Sequence, residues 1–346
     1  MKLIVQIPCF NEAATLPAVV RDIPRQIPGV DEVEVLVVDD GSTDGTPDIA
    51  RKLGVDHVVR HTTNQGLARA FRTGLDACLM LGADIIVNTD GDHQYAGSDI
   101  PRLIRPILDG TADIVVGDRE THKVPHFSAA KKQLQALGSS VVRTLSGTRV
   151  PDAVSGFRAI SRDAALHLNI ISPFSYTIEM LIQAGTKQLA ITTVPVRTNP
   201  VARQSRLFRS VPHFISRSLG TMVRMYAMYK PLSTFFYIGS VIGVAGLVPI
   251  IRFLYFYSVG QGAGHIQSLV LGGSLVVIAF MILLIGMVAD LINFNRQLIE
   301  IALEKVRRLE VEAGYVGRPT PGSTTADKLA ESVPRRPTAN KPWREQ

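Results

Sequence analysis

Two stretches of this 346-residue chain carry almost no charge: Leu232 to about Tyr257, and Gln267 to about Ile292. Each is long enough for the roughly 20 residues that cross a hydrocarbon core. The buried helix of a large domain is also apolar all round. Two such helices joined by the short Ser258-Val259-Gly260-Gln261-Gly262-Ala263-Gly264 nevertheless predict a membrane hairpin. Its flanks set the orientation. No Asp or Glu occurs between Glu179 and Asp290, while Arg203, Arg206, Arg209, Arg217, Arg224 and Lys230 precede the hairpin. Arg296, Lys305, Arg307 and Arg308 follow it, and the connecting loop has neither Lys nor Arg. The positive-inside rule then puts both flanks, and both termini, in the cytoplasm. Arg252, near the outer end of the first span, is expected to snorkel to the headgroups.

The formal net charge of +7 raises the question of nucleic acid. The basic residues of 203–230 are interleaved with Leu207, Phe208, Val211, Phe214, Ile215, Leu219, Met222, Val223 and Tyr226. Near-helical apolar spacing with a cationic face, next to a membrane span, describes an interfacial helix on anionic membrane lipids and argues against nucleic acid. Beyond the spans, Leu291, Leu298, Ile301, Ala302, Val306 and Leu309 mark a cytoplasmic amphipathic helix over 293–316. Its apolar face is expected to pack on its own protein or on a sister subunit of a homo-oligomer. The tail, 317–346, is too poor in apolar residues to fold alone and is expected to be disordered. Met1-Lys2-Leu3-Ile4-Val5 runs straight into a strand without an apolar signal core. Cys9 and Cys78 have no metal-ligand spacing and read as small buried apolar residues in a reducing compartment.

Residues 1–202 alternate short apolar runs with helical spacing, the pattern of a doubly wound, mostly parallel α/β sheet. Strands are expected at Leu3 to Pro8, Val33 to Asp39, His57 to His61, Ile85 to Thr89, Ile114 to Gly117, Gly156 to Ser161 and Ile191 to Arg197. Helices are expected within Ala13 to Ile27 and at Thr46 to Leu53, Leu67 to Leu81, Lys131 to Leu145, Ala164 to Leu168 and Tyr176 to Ala184. Three of the strands end in polar or acidic groups: Pro8-Cys9-Phe10-Asn11-Glu12, Asp39-Asp40-Gly41-Ser42 and Asp90-Gly91-Asp92. Ligands of open α/β sheets bind outside the carboxyl ends of strands. One or two carboxylates together with substrate phosphates are the usual holders of Mg²⁺ or Mn²⁺. The Asp-Gly-Asp therefore fits a metal-bound nucleoside diphosphate, and a plain solvated turn is its competing reading.

The ordered set Val37-Val38-Asp39-Asp40-Gly41-Ser42-Thr43-Asp44-Gly45-Thr46, Asn64-Gln65-Gly66-Leu67-Ala68-Arg69-Ala70, Asp90-Gly91-Asp92 and Val154-Ser155-Gly156-Phe157-Arg158-Ala159 resembles glycosyltransferase family 2. That family has the GT-A nucleotide-diphospho-sugar transferase fold. With Ser205-Arg206-Leu207 and the hairpin, the resemblance narrows to the polyprenyl-phosphate glycosyltransferases and covers about residues 1–310. It implies an integral protein of a plasma-membrane type of bilayer. The implied reaction is an inverting transfer of a sugar from a nucleotide-diphospho-sugar donor to a polyprenyl phosphate acceptor.

The resemblance also implies roles. Pro8, Asn11, Glu12, Asp39, Asp40, Gly66 and Asp90 would hold the nucleotide sugar. Asp90 and Asp92, with Gln94, would hold the Mg²⁺ or Mn²⁺, and His93 is expected to pack rather than ligate. A lipid monophosphate arrives anionic and needs cations rather than a general base. Arg119, Lys131, Lys132, Arg158, Arg203 and Arg206 are the candidates for that cradle, with solvated surface as their competing reading. Asp152 would orient an arginine or the sugar, unless it only caps a turn. Asp90, Asp92, Asp152 and Arg119 form the expected catalytic set. The Gln-x-x-Arg-Trp motif of processive synthases is absent, since Trp343 in the tail is the sole tryptophan. A transferase acting on a lipid hydroxyl and a non-catalytic membrane scaffold remain the other readings.

Overall fold

A computed structural model describes residues 1–120, 147–148, 150–171, 176–199 and 230–316. The helix expected at 131–145, the interfacial helix and the tail lie outside the described residues.

Seven strands form one sheet: β1 (Lys2–Cys9), β2 (Glu32–Asp39), β3 (His57–Arg60), β4 (Ile85–Asn88), β5 (Ile114–Asp118), β6 (Arg158–Ser161) and β7 (Ile191–Pro195). Their order across the sheet is β3-β2-β1-β4-β6-β5-β7. All neighbours run parallel except β6, which is antiparallel to both β4 and β5. The chain leaves β1 toward β2 and β3 on one side and returns on the other side for β4. The gap above β1 and β4 is thus the switch point where open sheets bind ligands.

Buried on both faces, β1 reads as a nearly unbroken apolar run. Leu3, Val5 and Ile7 enter one core with Val35, Val37, Ile85 and Val87. Ile4 enters the other with Leu36, Val38, Phe71 and Leu75. The covering helices are α1 (Leu16–Asp22), α2 (Thr46–Lys52), α3 (Leu67–Met80), α4 (Ile100–Leu108), α5 (Arg162–His167) and α6 (Tyr176–Thr186). The strand and helix expectations inside the described residues hold to within a few positions, but α4 was not among them. It carries Pro at its start and Pro106 inside, and both weaken the helical signal.

Two more helices follow, α7 (Pro231–Ser258) and α8 (Ile266–Val316), and both are long and apolar enough to cross a membrane. They pack against each other as a hairpin at glycines. A Cβ on Gly272 would stand 2.6 Å from the Gly246 carbonyl oxygen, so the close crossing requires a residue without one. The second span and the amphipathic helix expected after it are one uninterrupted element of 51 residues. Its C-terminal part lies on the α/β domain. Glu300 pairs with Lys187 at 3.6 Å, Glu304 with His167 at 3.1 Å, and Arg308 with Asp163 at 2.9 Å. Val311 is buried in the same core as Phe71.

Candidate active site

Each strand end delivers a different chemistry to the switch point. After β1, Asn11 takes a left-handed φ of 55°. Its backbone N–H donates to Ser42 Oγ at 2.8 Å, and its side-chain oxygen accepts from the Thr43 N–H at 2.9 Å. Thr15 Oγ1 donates to Glu12 Oε2 at 2.8 Å and to the Gly91 carbonyl at 2.7 Å, joining this loop to the Asp-Gly-Asp turn. Pro8 is buried opposite Val38.

The two carboxylates at the end of β2 have separate fates. Asp40 is buried and accepts from His61 Nδ1 at 2.7 Å and from the backbone N–H groups of Gln65 and Gly66 at 2.9 and 2.8 Å. It therefore fixes the approach to α3, where Gly66 adopts φ 92°, ψ 154°, a conformation open essentially to glycine alone. Asp39 accepts from the Ser42 N–H through Oδ1 at 3.1 Å. Its Oδ2 is buried with no hydrogen bond, although Arg60 Nε stands 3.1 Å away. A buried acceptor without a donor is costly unless a ligand supplies one.

Beyond β4, Asp90 and Asp92 flank Gly91, which is packed under Cys9 and Glu12 so closely that a Cβ would lie 3.0 Å from Cys9 Sγ. Asp92 Oδ1 accepts from the Gln94 N–H at 3.1 Å. Removal from water, and then the adjacent Asp92 charge, push the Asp90 carboxyl up to about 7. Gly156 lies directly against it: a Cβ there would be 2.8 and 2.9 Å from the two Asp90 oxygens.

Antiparallel β6 enters the sheet at this edge, so the loop 152–157 before it joins the site. Asn88 of β4 holds that loop, donating from Nδ2 to the Gly156 carbonyl at 2.8 Å and to Tyr176 Oη at 3.1 Å. Tyr95 Oη accepts from the Gly156 N–H at 3.0 Å, and the Tyr95 ring stacks on Phe157. After β5, Arg119 grips Asp152 with two prongs, Nε to Oδ2 at 2.7 Å and Nη2 to Oδ1 at 3.0 Å, and lies 6.0 Å from the Tyr95 ring centroid. Asp152 thus holds the Arg119 guanidinium at the end of β5.

Arg158, expected in the anion cradle, is fully buried instead. It sits on an interior strand between Asn88 and Val116, so its side chain points into protein. It donates to the carbonyls of Ser155, Thr177 and Ala153, each at 2.8 Å, and burial pulls its pKa down to about 10. Arg158 is the rivet of the loop that bears Asp152. Lys131, Lys132, Arg203 and Arg206 lie outside the described residues. Tyr95, Tyr176, Asn88 and His61 escaped the sequence reading. His61 alone had a local signal, standing one residue beyond the partner of Asp39 across β2 and β3.

The carboxylate pair fits a divalent ion. Among the described residues no hydrogen-bond donor reaches Asp90, and its charged form is disfavoured until a cation arrives. Hard carboxylate oxygens in this number are what Mg²⁺ and Mn²⁺ take when a diphosphate supplies the rest.

A sheet of this order, with one antiparallel strand beside the switch point and acid at two strand ends, defines a GT-A nucleotide-diphospho-sugar transferase. Glucosyl-3-phosphoglycerate synthase of Mycobacterium tuberculosis, solved with phosphoglyceric acid, superposes with a TM-score of 0.50 over 65% of this chain and 79% of its own, at 24% identity. That likeness concerns the fold. In sequence, residues 4–168 match the model "Glycosyl transferase family 2". Undecaprenyl-phosphate mannosyltransferase of Micrococcus luteus is 30% identical, over 57% of this chain and 83% of its own length. UDP-N-acetylglucosamine–dolichyl-phosphate N-acetylglucosaminyltransferase of Methanococcus voltae is 31% identical, over 56% and 83%. Polyprenol monophosphomannose synthase of Mycolicibacterium smegmatis is 28% identical, over 56% and 76%. The chain belongs to glycosyltransferase family 2 and is a glycosyltransferase.

Proposed function

We propose that this protein transfers a sugar from a nucleotide-diphospho-sugar to a polyprenyl phosphate, inverting the anomeric centre and yielding a lipid-phosphate sugar. The observation that carries the reading is the site's polarity: an acidic turn whose Asp90 accepts no hydrogen bond among the described residues, and beside it the Arg119–Asp152 pair. Two membrane-length helices attached to the same domain support a lipid acceptor. So do the relatives named for undecaprenyl, dolichyl and polyprenol phosphates.

In this reading Asp39 Oδ2, ion-paired with Arg60 but without a hydrogen bond, receives an N–H of the base. Pro8, Asn11 and Glu12 wall the ribose, and Asp40 and Gly66 shape the loop beside it. Asp90 and Asp92, with Gln94, hold a Mg²⁺ or Mn²⁺, which supplies charge neutralisation to the leaving diphosphate. Arg119, aimed by Asp152, meets the acceptor phosphate. Lys131, Lys132, Arg203 and Arg206 are the further cations assigned to that cradle. The acceptor oxygen is already ionised, so no side chain has to remove a proton before in-line attack on the anomeric carbon. Basic flanks support a catalytic domain and both termini in the cytoplasm, where nucleotide sugars are made. Self-association through α8 belongs to the same proposal.

Relatives named for mannose and for N-acetylglucosamine leave the sugar to experiment. The test is transfer of radiolabelled sugar in isolated membranes from several nucleotide-sugar donors, with polyprenyl phosphate or polyprenol added. Label appearing only with the phosphorylated lipid supports the reading. Equal transfer to polyprenol, or to diacylglycerol, would replace it with a hydroxyl acceptor, and no transfer from any donor would favour a scaffold.

A further inference from the structure

His93, between Asp92 and Gln94, holds a left-handed φ of 59°. Few residues with a Cβ do so, and the conformation is disfavoured by roughly tenfold, about 1.4 kcal/mol. Such a backbone persists only where its surroundings impose it. Asp92 Oδ1 spans it to the Gln94 N–H, Asp22 Oδ2 stands 3.8 Å from the ring, and a residue from the far end of the sheet grips its carbonyl. The Asn199 side-chain amide donates to the His93 carbonyl at 3.1 Å and the Tyr95 carbonyl at 3.4 Å, and stands 3.3 Å from His93 Nε2. Its backbone N–H donates to the Gln94 carbonyl at 2.9 Å. Three consecutive carbonyls of the acidic turn therefore end on Asn199. The two preceding residues anchor the contact: Thr198 bridges to Tyr95, and Arg197 Nη2 and Nε donate to Asp99 Oδ1 at 2.7 and 3.1 Å.

We propose that Asn199 is the positioning residue of the metal turn. Its amide holds His93 in the left-handed conformation and so sets Asp92 relative to Asp90. The inference rests on the metal reading above and adds a residue that lies on none of the strand ends facing the switch point. Only a primary amide suits the place. It brings two N–H groups to a row of carbonyl oxygens, whereas the isosteric carboxylate brings none and adds repulsion.

The test uses the full chain in detergent and the probe Mn²⁺, titrated alone and with UDP, with free Mn²⁺ read by electron paramagnetic resonance. Asn199→Ala and the isosteric Asn199→Asp should each weaken Mn²⁺ uptake about tenfold. Glycine takes positive φ without the Cβ penalty, so adding His93→Gly to Asn199→Ala should recover most of that loss. A merely structural role would make the double variant weaker than either single one. Wild-type affinity in Asn199→Ala and Asn199→Asp, or no recovery on adding His93→Gly, would overturn the proposal. A wild-type protein that takes up no Mn²⁺ in either titration would instead refute the metal reading, and the proposal with it.

Discussion

Replacing Asp90 with Asn should stabilise the ligand-free protein while abolishing transfer, and the stabilisation should depend on pH. In the fold the Asp90 carboxyl titrates at about 7, because it is removed from water and faces Asp92. In the unfolded chain an aspartate titrates near 3.9. Between these values the native state keeps a proton that the unfolded state has released, so native stability falls as pH rises through that window. The difference of about 3 units corresponds to a ceiling of ~4 kcal/mol at 1.36 kcal/mol per unit. An effective protein dielectric of about 20 tempers such penalties, so about half of that, ~2 kcal/mol, is the working figure. Asparagine has the same shape and never ionises. In chelator at pH 8.5, Asp90→Asn should melt roughly 4–8 °C above wild type. At pH 5, about one unit into that window, the shift should shrink to roughly a third, and near pH 4 the two curves should nearly coincide. Saturating Mn²⁺ with UDP should reverse the order at pH 8.5, since only wild type gains a ligand. A destabilised variant at pH 8.5, or an equal shift at both pH values, would refute this account of the site.

Asp92→Ala should leave a folded, membrane-bound protein whose transfer rate falls by several orders of magnitude, and excess chelator should reproduce the loss in wild type; near-normal transfer would remove the metal role. Arg119→Ala should raise the Michaelis constant for polyprenyl phosphate, or lower turnover, by at least about tenfold with donor affinity little changed, and Arg119→Lys should recover only part of it. Arg158→Lys cannot reach three carbonyls at once, so it should lower the melting temperature by about 5 °C or more before it alters either Michaelis constant; unchanged melting would deny Arg158 its structural role. A single Cys at position Gly262, in a background without Cys9 and Cys78, should react with an impermeant thiol reagent outside intact cells, and one at Ala339 should not.

Local pattern carried much of this structure, and its failures have physical causes. The strands were legible because β1, β2 and β4 are buried on both faces and read as apolar runs ending in acid. The hairpin was legible from charge depletion alone. Nothing in four residues, Arg158–Ser161, states a direction, so the antiparallel insertion of β6 was hidden, and with it the inward course of Arg158. The same holds for Asp39 and Asp40. Adjacent strand-end residues look equivalent as text, yet the pleat turns one toward the crevice edge and the other onto the Gln65 and Gly66 amides. Asn199 could not be found either, since its partners lie more than a hundred positions earlier in the chain.

The continuity of α8 turns bilayer mechanics into enzyme geometry. At a rise of 1.5 Å per residue, the stretch from Ile292 to Val316 extends about 36 Å beyond the apolar span. The α/β domain is fastened along it by ion pairs and by Val311. Helices answer a thinner bilayer by tilting. A change of roughly ten degrees would swing the far end of this lever by about 6 Å, comparable to the pitch of one helical turn. Under the proposed function, bilayer thickness would set how far an acceptor headgroup must travel to reach Arg119.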